Sequence, residues 1–430
     1  MTELGPLPQE WQVVPLGNLF QIQQGKALSP KHRIGQNARP FLRTANVNWG
    51  RIDTAKLDYM DFSDDEVNRL ALEPGDLLVC EGGDIGRTAM WEGQLSLCLY
   101  QNHLHRLRST RSDVEPAFYM YWMQAAWTIL DLYRGAANKT TIPNLSRSRL
   151  ASLPVPFPPL EQQRAISYLL RVIQGAKEAT EKVIAAAREL KKSLMRHLFT
   201  YGPVPLEEVG GVRLKETEIG PVPEHWQVVR VGDVVKPTTN IDPRRFPEKH
   251  LKYLDVSSID NERLCILGHQ EFLGKDAPSR ARKCIEAKDV IFATVRPYLK
   301  RIALIPPEYD GQICSTAFCV LRANERVIVP EYLFSSVSHD RFVNSVSEHQ
   351  RGSSYPAVTD QDVLRSLIPL PPLPEQLKIV RLLGAVDRKI QVEQVYVQAL
   401  RALFATLLHQ LMTGKVRVKH LPLSETEGVS

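Results

Sequence analysis

The sequence predicts an α+β protein built from two copies of one mixed α/β domain and two long helices that pair as a coiled coil. Three observations support this prediction. The chain matches itself at a shift of about half its length. Each copy ends in a proline-free stretch with a seven-residue apolar period. Each copy also contains short segments in which apolar and polar residues alternate, as in strands.

Length and composition agree with this plan. The 430 residues exceed one typical domain and predict two or three domains. The hydrophobic fraction of 43% and the charged fraction of 24% are ordinary for a globular protein. The formal net charge of +6 and the pI of about 8.9 are compatible with a polyanionic partner but do not require one.

The cysteines and the first residues bear on the cellular compartment. None of the six cysteines belongs to a Cys-x-x-Cys pair, which predicts reduced core thiols in a cytosolic protein. The opening "MTELGPLPQEW" lacks the basic and apolar regions of a signal peptide, and no apolar run approaches about 18 residues. We therefore expect a cytoplasmic protein without a membrane span.

The duplication extends over almost the whole chain. "PLPQEWQVVPLGNL" matches "PVPEHWQVVRVGDV", "GDLLV" matches "KDVIF", and "LASLPVPFPPLEQ" matches "LRSLIPLPPLPEQ". Alignment of Glu161 with Glu375 sets the shift between the copies. Residues 20–70 and 235–285, in contrast, share almost nothing. A common frame with different interiors indicates one scaffold that presents two different surfaces.

Two long helices follow from the proline-free stretches, which run from Pro159 to Pro203 and from Pro374 to Pro422. Proline and glutamate near each start, and glycine in "TYGP" and "TGK" at each end, are typical of helix boundaries. Each helix is then about 38 residues, or about 57 Å long. Each has one narrow apolar stripe, so we expect the two helices to pair. The predicted seam positions are Ile166, Leu169, Ile173, Ala176, Thr180, Val183, Ala187, Leu190 and Leu194, and Ile379, Leu383, Val386, Ile390, Glu393, Val397, Leu400, Phe404, Leu407 and Leu411.

The segments between the helices predict strands and turns. "LEPGDLLVCEGG" and "AKDVIFATV" indicate a turn followed by a strand, and "LSLCLYQNHLHRLR" and "GQICSTAFCVLR" indicate further strands. Short helices are predicted at residues 116–130 and 330–344. Each domain of about 140 residues is large enough for its own core.

No motif typical of catalysis is present. The sequence has no phosphate loop, no His-Glu-x-x-His, no Gly-x-Ser-x-Gly and no Asn-Pro-Pro-Tyr motif. "EGGDIGR" is better explained as a tight turn. His103 and His105 fall on one predicted strand face without an evident third metal ligand, so contact with solvent or bases is the favoured interpretation.

One weak match to an enzyme pattern remains as an alternative. Asp276, Glu286 and Lys288 fit the loose Asp…Glu-x-Lys pattern of metal-dependent nucleases, which would make the chain a stand-alone DNA-acting enzyme. The positions aligned with Glu286 and Lys288 in the first copy are Glu73 and Gly75, where the segment predicts a plain turn before a strand. The duplication therefore disfavours the nuclease hypothesis.

The combined pattern resembles the specificity subunit of type I restriction–modification systems. It rests on two variable domains, each followed by "PxPPLxEQ" and a long helix, and on an opening repeated mid-chain as "IGPVPEHW". The resemblance covers essentially the whole chain. It implies two target-recognition domains held apart by an antiparallel helix pair with pseudo-two-fold symmetry. Each domain would read one half of a bipartite, asymmetric DNA target, and the helix pair would set the gap.

The resemblance also implies partners and cofactors. The chain itself would be non-catalytic, with no metal and no cofactor. It would bind double-stranded DNA and recruit two adenine-specific methyltransferase subunits, which use S-adenosylmethionine. Motor-nuclease subunits, which use ATP and Mg, would join the full complex.

These implications assign six regions to the chain. The predicted boundaries are 1–153 for the first target-recognition domain, 154–202 for the first conserved helix, 203–218 for a linker, 219–367 for the second target-recognition domain, 368–414 for the second conserved helix and 415–430 for a C-terminal tail.

Candidate DNA contacts in the second domain come from a basic stretch and a polar loop. Residues 275–301 carry eight cations against three acids, which suits phosphate neutralisation, although a solvated charged face is the alternative interpretation. "TTNIDPRRF" offers side chains able to read base edges. The candidates are Thr239, Asn240, Arg244, Arg245, Lys275, Arg280, Arg282, Lys283, Arg296, Lys300 and Arg301.

Candidates in the first domain come from "FLRTANVNWGR", "QNHLHR" and "RGAANKTT". Residues 53–76 carry eight acids against two bases, and we expect this acidic segment to face away from DNA. The candidates are Arg43, Asn46, Asn48, Arg51, Asn102, His103, Arg106, Arg134, Asn138, Lys139 and Thr140.

Candidate partner contacts are the parts that match between the copies, because two identical partners need two similar docking sites. Exposed parts of both helices are included. Trp11 and Trp226 are equally well explained as core residues, and a protein-only coiled-coil adaptor is a third hypothesis for the chain. The partner-binding candidates are Trp11, Trp226, Glu161, Gln162, Glu375 and Gln376.

Overall fold

The computed structural model describes residue 4 and residues 6–28, 37–133, 144–352 and 356–418. The chain divides into two compact units. Unit 1 is Met1–Lys182 with Gln394–Ser430, and unit 2 is Val183–Glu393. Each unit therefore takes a share of both long helices, whereas the sequence-based boundaries set the helices apart as regions of their own. Those boundaries remain our proposal for the functional regions.

Unit 1 contains eleven described strands and three short helices, followed by the start of the first long helix. The strands are β1 Gln12–Pro15, β2 Phe20–Gln24, β3 Ala38–Leu42, β4 Val47–Asn48, β5 Arg51–Ile52, β6 Asp58–Asp61, β7 Leu77–Cys80, β8 Thr88–Met90, β9 Leu99–Tyr100, β10 Leu104–Ser109 and β11 Pro154–Phe157. The helices are α1 Asp64–Leu70, α2 Pro116–Thr128, α3 Arg147–Ser152 and α4 Leu160–Tyr201.

Unit 2 repeats this order with additions. Its strands are β12 Leu214–Lys215, β13 Val222–Pro223, β14 Gln227–Arg230, β15 Val235–Lys236, β16 His250–Leu254, β17 Ile259–Asp260, β18 Cys265–Ile266, β19 Gln270–Leu273, β20 Ala281–Ile285, β21 Val290–Ala293, β22 Ile302–Leu304, β23 Gln312–Ser315, β24 Phe318–Ala323 and β25 Leu367–Leu370. Its helices are α5 Val231–Val234, α6 Pro330–Ser338, α7 Asp340–Glu348, α8 Asp360–Arg365 and α9 Leu373–Met412.

The sheets of the two units correspond. Unit 1 has a four-stranded sheet in the order β2-β10-β7-β8 and a three-stranded sheet in the order β6-β3-β9. Unit 2 has a four-stranded sheet β15-β24-β21-β22 and a second sheet β19-β16-β23-β20. β3 pairs in parallel with β9, and β16 pairs in parallel with β23. In unit 1, β1 pairs with β11, the strand that precedes α4, and in unit 2, β14 pairs in the same way with β25, the strand that precedes α9.

The predicted short helices are present. α2 is buried along most of its length, since nine of its residues, Phe118 and Trp122 among them, belong to the core. The second predicted helix is divided into α6 and α7 at His339, whose backbone is extended. His339 also caps the start of α7, because its Nδ1 accepts a hydrogen bond from the Arg341 amide at 3.1 Å.

The two long helices pack side by side within each unit. In unit 1, Leu170 of α4 lies in the same core as Leu411 of α9. In unit 2, Leu198 of α4 lies in the same core as Ile379 and Leu383 of α9. The N-terminal part of α4 therefore packs with the C-terminal part of α9 in unit 1, and the C-terminal part of α4 packs with the N-terminal part of α9 in unit 2. The two helices are antiparallel, as predicted. Cross-helix ion pairs accompany the packing, at 2.7 Å in unit 1 and 2.6 Å in unit 2.

The seam prediction holds for α9 and is wrong at two positions of α4. All ten predicted seam positions of α9 are buried or half-buried. In α4, Val183 and Leu190 are 42% and 56% exposed, whereas Ile184 is 9% exposed. The sequence could not decide between Val183 and Ile184, because both are apolar and a helix of 3.6 residues per turn drifts against a seven-residue repeat.

The predicted helix ends are confirmed. Pro374 lies in the first turn of α9, where a missing amide costs little. Gly202 and Gly414 follow α4 and α9 with left-handed φ values of 82° and 65°. The amide of Gly202 donates to the carbonyl oxygen of Leu198 at 3.1 Å, as a helix-terminating glycine does.

The hydrogen bonds at the helix starts correct the alignment of the two copies. The buried side chains of Gln163 and Gln376 each accept a backbone amide at 2.8 Å and donate to the proline carbonyl five residues earlier, at 2.8 and 2.9 Å. Gln163 therefore corresponds to Gln376, and Gln162 to Glu375. The alignment of Glu161 with Glu375 is one residue off, because the sequence offered two adjacent ways to match Glu-Gln.

Candidate nucleic-acid interface

The second sheet of unit 2 has an edge that the described part of unit 1 does not repeat. β20 adds a fourth strand where the corresponding sheet of unit 1 has three. Residues 239–241 run along β20, joined to it by backbone hydrogen bonds of 2.8 and 3.1 Å. Thr239 and Asn240 are exposed there, and Arg280, at the start of β20, is exposed as well. This pairing assembles candidates that lie about 40 residues apart in the sequence.

More cations join this edge through two 3-10 turns. The turn with Arg244 and Arg245 packs against the turn Gly274–Asp276, which carries Lys275, and all three cations are exposed. Gly274 permits this contact because it has no side chain. A Cβ at this position would lie 2.1 Å from the carbonyl oxygen of Phe246, the residue that follows the facing turn. The structure thus brings together a surface that we call the basic edge: Thr239, Asn240, Arg244, Arg245, Lys249, Lys275, Arg280 and Arg282.

Charge at the basic edge is partly balanced. Arg282 pairs with Asp242 at 2.9 Å, and Lys275 pairs with Glu248 at 3.6 Å. Residues 239–250 and 275–282 together carry six cations against three carboxylates, so the basic edge keeps an excess of positive charge. Such an excess beside polar side chains suits a nucleic-acid backbone.

Three other cations of the predicted basic stretch are engaged inside unit 2. Lys283 donates to a backbone carbonyl at 2.6 Å and pairs with Asp360. Arg301 donates to two backbone carbonyls at 2.8 and 2.9 Å. Lys300 pairs with Asp340, and this bond lowers the pKa of the Asp340 carboxyl. Lys283 and Arg301 are therefore withdrawn as DNA contacts, because their charge is used to hold the unit together.

Arg296 completes the set of candidates in unit 2. It is half-buried in the loop between β21 and β22, and its backbone is left-handed with a φ of 49°. It lies outside the basic edge.

In unit 1, two sequence-based expectations conflict. Arg43 pairs with Asp58 at 2.6 Å, and the Asn46 side chain donates to the carbonyl oxygens of Asp53 and Lys56, both at 3.0 Å. The acidic segment that was expected to face away from DNA therefore lies against Arg43 and Asn46. Asn46 serves to hold this turn and is withdrawn as a DNA contact.

Other candidates in unit 1 differ in exposure. Asn48 and Arg51 are exposed on the hairpin formed by β4 and β5. Asn102 is half-buried and His103 is exposed in the turn between β9 and β10. The remaining candidates lie outside the described residues: Arg134, Asn138, Lys139 and Thr140.

The expected shared face of His103 and His105 is wrong, because His103 belongs to a turn and His105 to buried β10. The His105 Nε2 lies 2.9 Å from the Leu145 carbonyl oxygen, and burial lowers the pKa of this imidazole. Arg106 is buried beside it and donates to two backbone carbonyls at 3.0 and 3.2 Å. Arg106 is therefore withdrawn as a DNA contact.

Three exposed residues at the basic edge were not predicted from the sequence. Lys249 belongs to the edge, and Phe246 and His250 lie beside it in the chain. The polar run "PRRFPEKH" was the available signal, because it continues the loop "TTNIDPRRF" with a further lysine and a histidine.

An arginine holds the same turn in both units. It lies on the strand next to β7 or β21 and donates twice to a buried aspartate that precedes this strand, at 2.6 to 2.9 Å. It donates once more to a glutamate three residues earlier, at 2.5 or 2.6 Å. The bond to the aspartate raises the pKa of each arginine. The trios are Arg108, Asp76 and Glu73 in unit 1, and Arg322, Asp289 and Glu286 in unit 2.

This repeated clamp argues against the nuclease alternative. Glu286 does what Glu73 does in the other copy, which is a structural role. Lys288 pairs with Glu325 at 3.7 Å, and Asp276 lies in a turn of the basic edge. Within the described ranges, no group of three or more His, Cys, Asp or Glu residues is placed to hold a metal ion.

The two tryptophans proposed for partner binding are buried. The Trp11 indole donates to Gln162 Oε1 at 2.8 Å, and the Trp226 indole donates to Glu375 Oε2 at 2.8 Å. Gln376 is also fully buried. Trp11 and Trp226 fasten the chain just before β1 and β14 to the first turn of a long helix, and the tryptophans and Gln376 are therefore withdrawn as partner contacts. Glu161 is exposed.

Unit 2 has an exposed apolar groove. It has a volume of about 450 Å³ and lies between α4, the chain after α4, and α9. Leu190, Leu206 and Leu382 line it and are exposed, Leu206 at 76%. The equivalent of Leu190 in unit 1 is Leu403, which is also exposed.

Two further features concern the cysteines and the helices of the described chain. All six cysteines are free, and four of them are buried. The structure contains no helix, in the ranges that it describes, with the length and apolar character needed to cross a membrane.

Comparison with known proteins identifies the family. The family model described as "Type I restriction modification DNA specificity domain" matches residues 8–187 and again residues 223–400. The MjaVIII type I restriction enzyme specificity subunit of Methanocaldococcus jannaschii is 22% identical, over 96% of this chain and 95% of its own length.

One solved structure supports the fold over almost the whole chain. The type I restriction-modification system S subunit from M. genitalium aligns with 96% of this chain and 99% of its own, at 15% identity and a TM-score of 0.59. The HsdS subunit from Thermoanaerobacter tengcongensis is 50% identical in an alignment that spans 41% of this chain and 46% of its own, with a TM-score of 0.38.

The duplicated frame is thus matched twice by one family model, and together the two matches cover most of the chain. The chain belongs to the type I restriction–modification DNA specificity family.

Proposed function

We propose that this chain is the non-catalytic DNA-specificity subunit of an adenine-specific type I restriction–modification complex. The observation that carries the proposal is the contrast between frame and interior. Both units repeat the arginine clamp and the tryptophan hydrogen bond to the helix start. The second sheets of the two units differ. In unit 2 this sheet includes β20, along which residues 239–241 run, whereas unit 1 has α1 at the place in the chain that corresponds to β20.

Each unit binds one half of a bipartite DNA target in this proposal. In unit 2 the basic edge contacts phosphates and base edges, since it joins exposed cations to exposed Thr239 and Asn240. In unit 1 the supporting residues are exposed Asn48, Arg51 and His103. Arg134, Asn138, Lys139 and Thr140 remain sequence-based candidates. The paired long helices set the gap between the half-sites.

Two methyltransferase subunits dock on the chain, one for each unit. The proposed docking surface is the apolar groove of unit 2 and its equivalent around Leu403 in unit 1. Exposed leucines that no part of the described chain covers are typical of interaction sites. Methyl transfer from S-adenosylmethionine, and ATP- and Mg-dependent cleavage by motor-nuclease subunits, belong to the partners. The complex acts in the cytoplasm.

The test is to express the chain with the methyltransferase subunit of its own system and to map methylated adenines across the host genome. We expect one asymmetric, bipartite motif with a fixed gap. Replacing residues 235–285 with those of a relative of different specificity should change one half of the motif and leave the other. Methylation of a continuous motif, or a motif that survives this replacement, contradicts the proposal.

Two controls separate the alternatives. A protein-only adaptor predicts that the chain and its partner show no salt-sensitive binding to duplex DNA, so a gel-shift titration across salt concentrations excludes or supports it. A stand-alone enzyme predicts cleavage or methylation by the purified chain alone, with magnesium or with S-adenosylmethionine.

A further inference from the structure

The loop between β21 and β22 in unit 2, residues 294–301, differs from its counterpart in unit 1. The counterpart is the loop between β7 and β8, residues 81–87. Equivalent backbone hydrogen bonds close the two loops, from the Cys80 amide at 2.9 Å and from the Ala293 amide at 3.0 Å. Both loops therefore start from the same frame, and the loop of unit 2 is one residue longer.

The backbone is left-handed at two positions in both loops. In unit 1 these positions are Gly83 and Gly86, with φ values of 73° and 78°. In unit 2 they are Arg296 and Lys300, with φ values of 49° and 52°. Left-handed backbone is strained for a residue with a Cβ and unstrained for glycine. The backbone of unit 2 is therefore strained at Arg296 and Lys300, where unit 1 has glycines. Such strain persists only where surrounding contacts hold the backbone in place.

The surroundings do enforce the loop in unit 2. The Arg296 amide donates to the Pro356 carbonyl oxygen at 2.8 Å, and the Lys300 amide donates to the Pro297 carbonyl oxygen at 2.9 Å. Pro297 is buried, and the Lys300 side chain pairs with Asp340 of α7. This fixed tip presents one aromatic side chain to solvent.

That aromatic residue is Tyr298, which is 50% exposed at the centre of the tip. In unit 1 the loop "EGGDIGR" has no aromatic residue. The two units therefore differ in what this loop can offer to a ligand.

The tip of unit 2 adjoins a segment that corresponds to candidate DNA contacts. Ala357 forms backbone bridges both with Val295 of the loop and with Arg351. Arg351 begins the sequence "RGSSYPAV", and its side chain is 73% exposed. The corresponding sequence in unit 1 is "RGAANKTTIPNL", where sequence analysis expected DNA contacts. Two backbone hydrogen bonds support this equivalence. The Leu145 amide donates to the Glu81 carbonyl oxygen at 2.8 Å in unit 1, and the Val358 amide donates to the Thr294 carbonyl oxygen at 2.9 Å in unit 2.

We propose that Tyr298 is a DNA-contacting residue of unit 2 and that its ring packs against a base or sugar of the half-site that this unit binds. The inference rests on the proposed function and adds an aromatic contact that the corresponding loop of unit 1, residues 81–87, has no aromatic residue to make. Tyrosine suits this role because its ring is large and flat and loses little conformational entropy. Every base has a face on which such a ring can stack, so the contact adds affinity without reading the sequence through hydrogen bonds.

The test uses the chain assembled with its methyltransferase subunit and a duplex that carries the mapped target. 2-Aminopurine is placed at successive positions of the half-site assigned to unit 2, because its fluorescence reports local stacking. We expect Tyr298→Ala to weaken binding about tenfold and to abolish the fluorescence change at one position, while Tyr298→Phe retains both. Tyr59→Ala is the matched control, since Tyr59 is 60% exposed on β6 between Asp58 and Met60 in the acidic segment of unit 1.

The outcomes separate this inference from the proposed function. If the wild-type complex does not bind the mapped duplex, the proposed function fails. If it binds and Tyr298→Ala changes neither affinity nor fluorescence, the inference alone is overturned. A variant that binds the methyltransferase subunit more weakly, with DNA binding unchanged in the complex that does form, shows that the ring contacts protein and also overturns it.

Discussion

The indole N–H of Trp226 donates a hydrogen bond to Glu375 Oε2 over 2.8 Å, which fastens the chain just before β14 to the first turn of α9. In unit 1 the equivalent bond runs from Trp11 to the amide oxygen of Gln162, also over 2.8 Å. One copy thus uses a carboxylate where the other uses a neutral amide. The Glu375 carboxylate additionally contacts His225 Nε2 at 2.8 Å.

This relationship predicts how Glu375 responds to substitution. Glu375→Gln should change the free energy of unfolding by less than about 1 kcal/mol, because an amide oxygen still accepts the indole hydrogen bond. Glu375→Ala should lower it by about 1–2 kcal/mol, since the buried indole N–H loses its acceptor. Urea unfolding followed by tryptophan fluorescence measures both changes.

The reverse exchange in unit 1 is the control. Gln162→Glu places a carboxylate at the helix start, where the position equivalent to His225 is Glu10. Like charges repel, so we expect this variant to be less stable than Glu375→Gln. Equal stability of the two variants would show that the neighbouring residue has no influence on the hydrogen bond.

A second prediction concerns the pH dependence of stability through His339. Burial, together with nearby Arg341, lowers the pKa of His339 to about 4. Protonation of Nδ1 would also remove the acceptor that caps α7. The unfolded chain binds a proton near pH 6.5, so stability is fully present above that pH. It is lost as the pH falls from about 6.5 towards 4, by about 3 kcal/mol from this group.

His339→Asn tests the assignment. Asparagine caps a helix through its side-chain oxygen but does not titrate. We expect the stability of the variant to fall less than that of the wild type between pH 6.5 and 4, as measured by thermal unfolding in matched buffers. An identical pH profile in both proteins would assign the effect to other groups, among them buried His105.

The frame was predictable from the sequence because its signals are local. Gly202 and Gly414 end the helices as expected, and the apolar period fixed nearly the whole seam. Arg106 was misassigned because a charged residue in a strand is normally exposed. Its burial depends on two backbone carbonyls at the end of α1, those of Arg69 and Ala71, more than 30 residues away in the sequence.

The candidate site was less predictable from the sequence, because it depends on contacts between residues that are far apart in the chain. Arg43 looked available, but its partner Asp58 comes from a strand that pairs with β3 only in the fold. The basic edge likewise depends on contacts across about 40 residues, which place Arg244 near Arg280. Local sequence gives the residue types, and only the fold shows which charges already have partners.

The basic edge predicts a measurable salt dependence of DNA binding. Arg244→Ala, Arg245→Ala and Arg280→Ala should each weaken binding of the assembled complex to duplex DNA. If the side chain contacts a phosphate, each should also lower the slope of log affinity against log salt by about 1. A cation that reads a base would instead relax the specificity at one position. Fluorescence anisotropy across salt concentrations makes the distinction.

Two engaged cations provide the matched controls. Lys283→Ala and Arg301→Ala remove equal charge but also remove contacts inside unit 2. We expect lower thermal stability and an unchanged salt slope for the fraction that folds. If these variants lowered the slope as much as Arg244→Ala, the basic edge would have no special role in DNA binding.

The apolar groove predicts which surface binds the methyltransferase subunit. Leu190→Glu and Leu206→Glu should leave stability almost unchanged, because both leucines are exposed. They should weaken partner binding about 30-fold or more, since a buried carboxylate in an apolar interface lacks a counter-charge. Leu267→Glu is the control, because Leu267 is 63% exposed in unit 2 and does not line the groove. Equal partner affinity for all three variants would place the docking surface elsewhere.

The final prediction tests whether the long helices set the gap in the DNA target. Deleting residues 182–188 from α4 and 392–398 from α9 removes one heptad from each helix and preserves the register of the seam. At 1.5 Å per residue the helices shorten by about 10 Å, or about three base pairs. Genome-wide mapping of methylated adenines should show the same half-sites with a gap narrower by that amount. Removing residues 419–430 instead should leave the gap unchanged, and a gap that also stays unchanged after the heptad deletion would mean that the helices do not measure it.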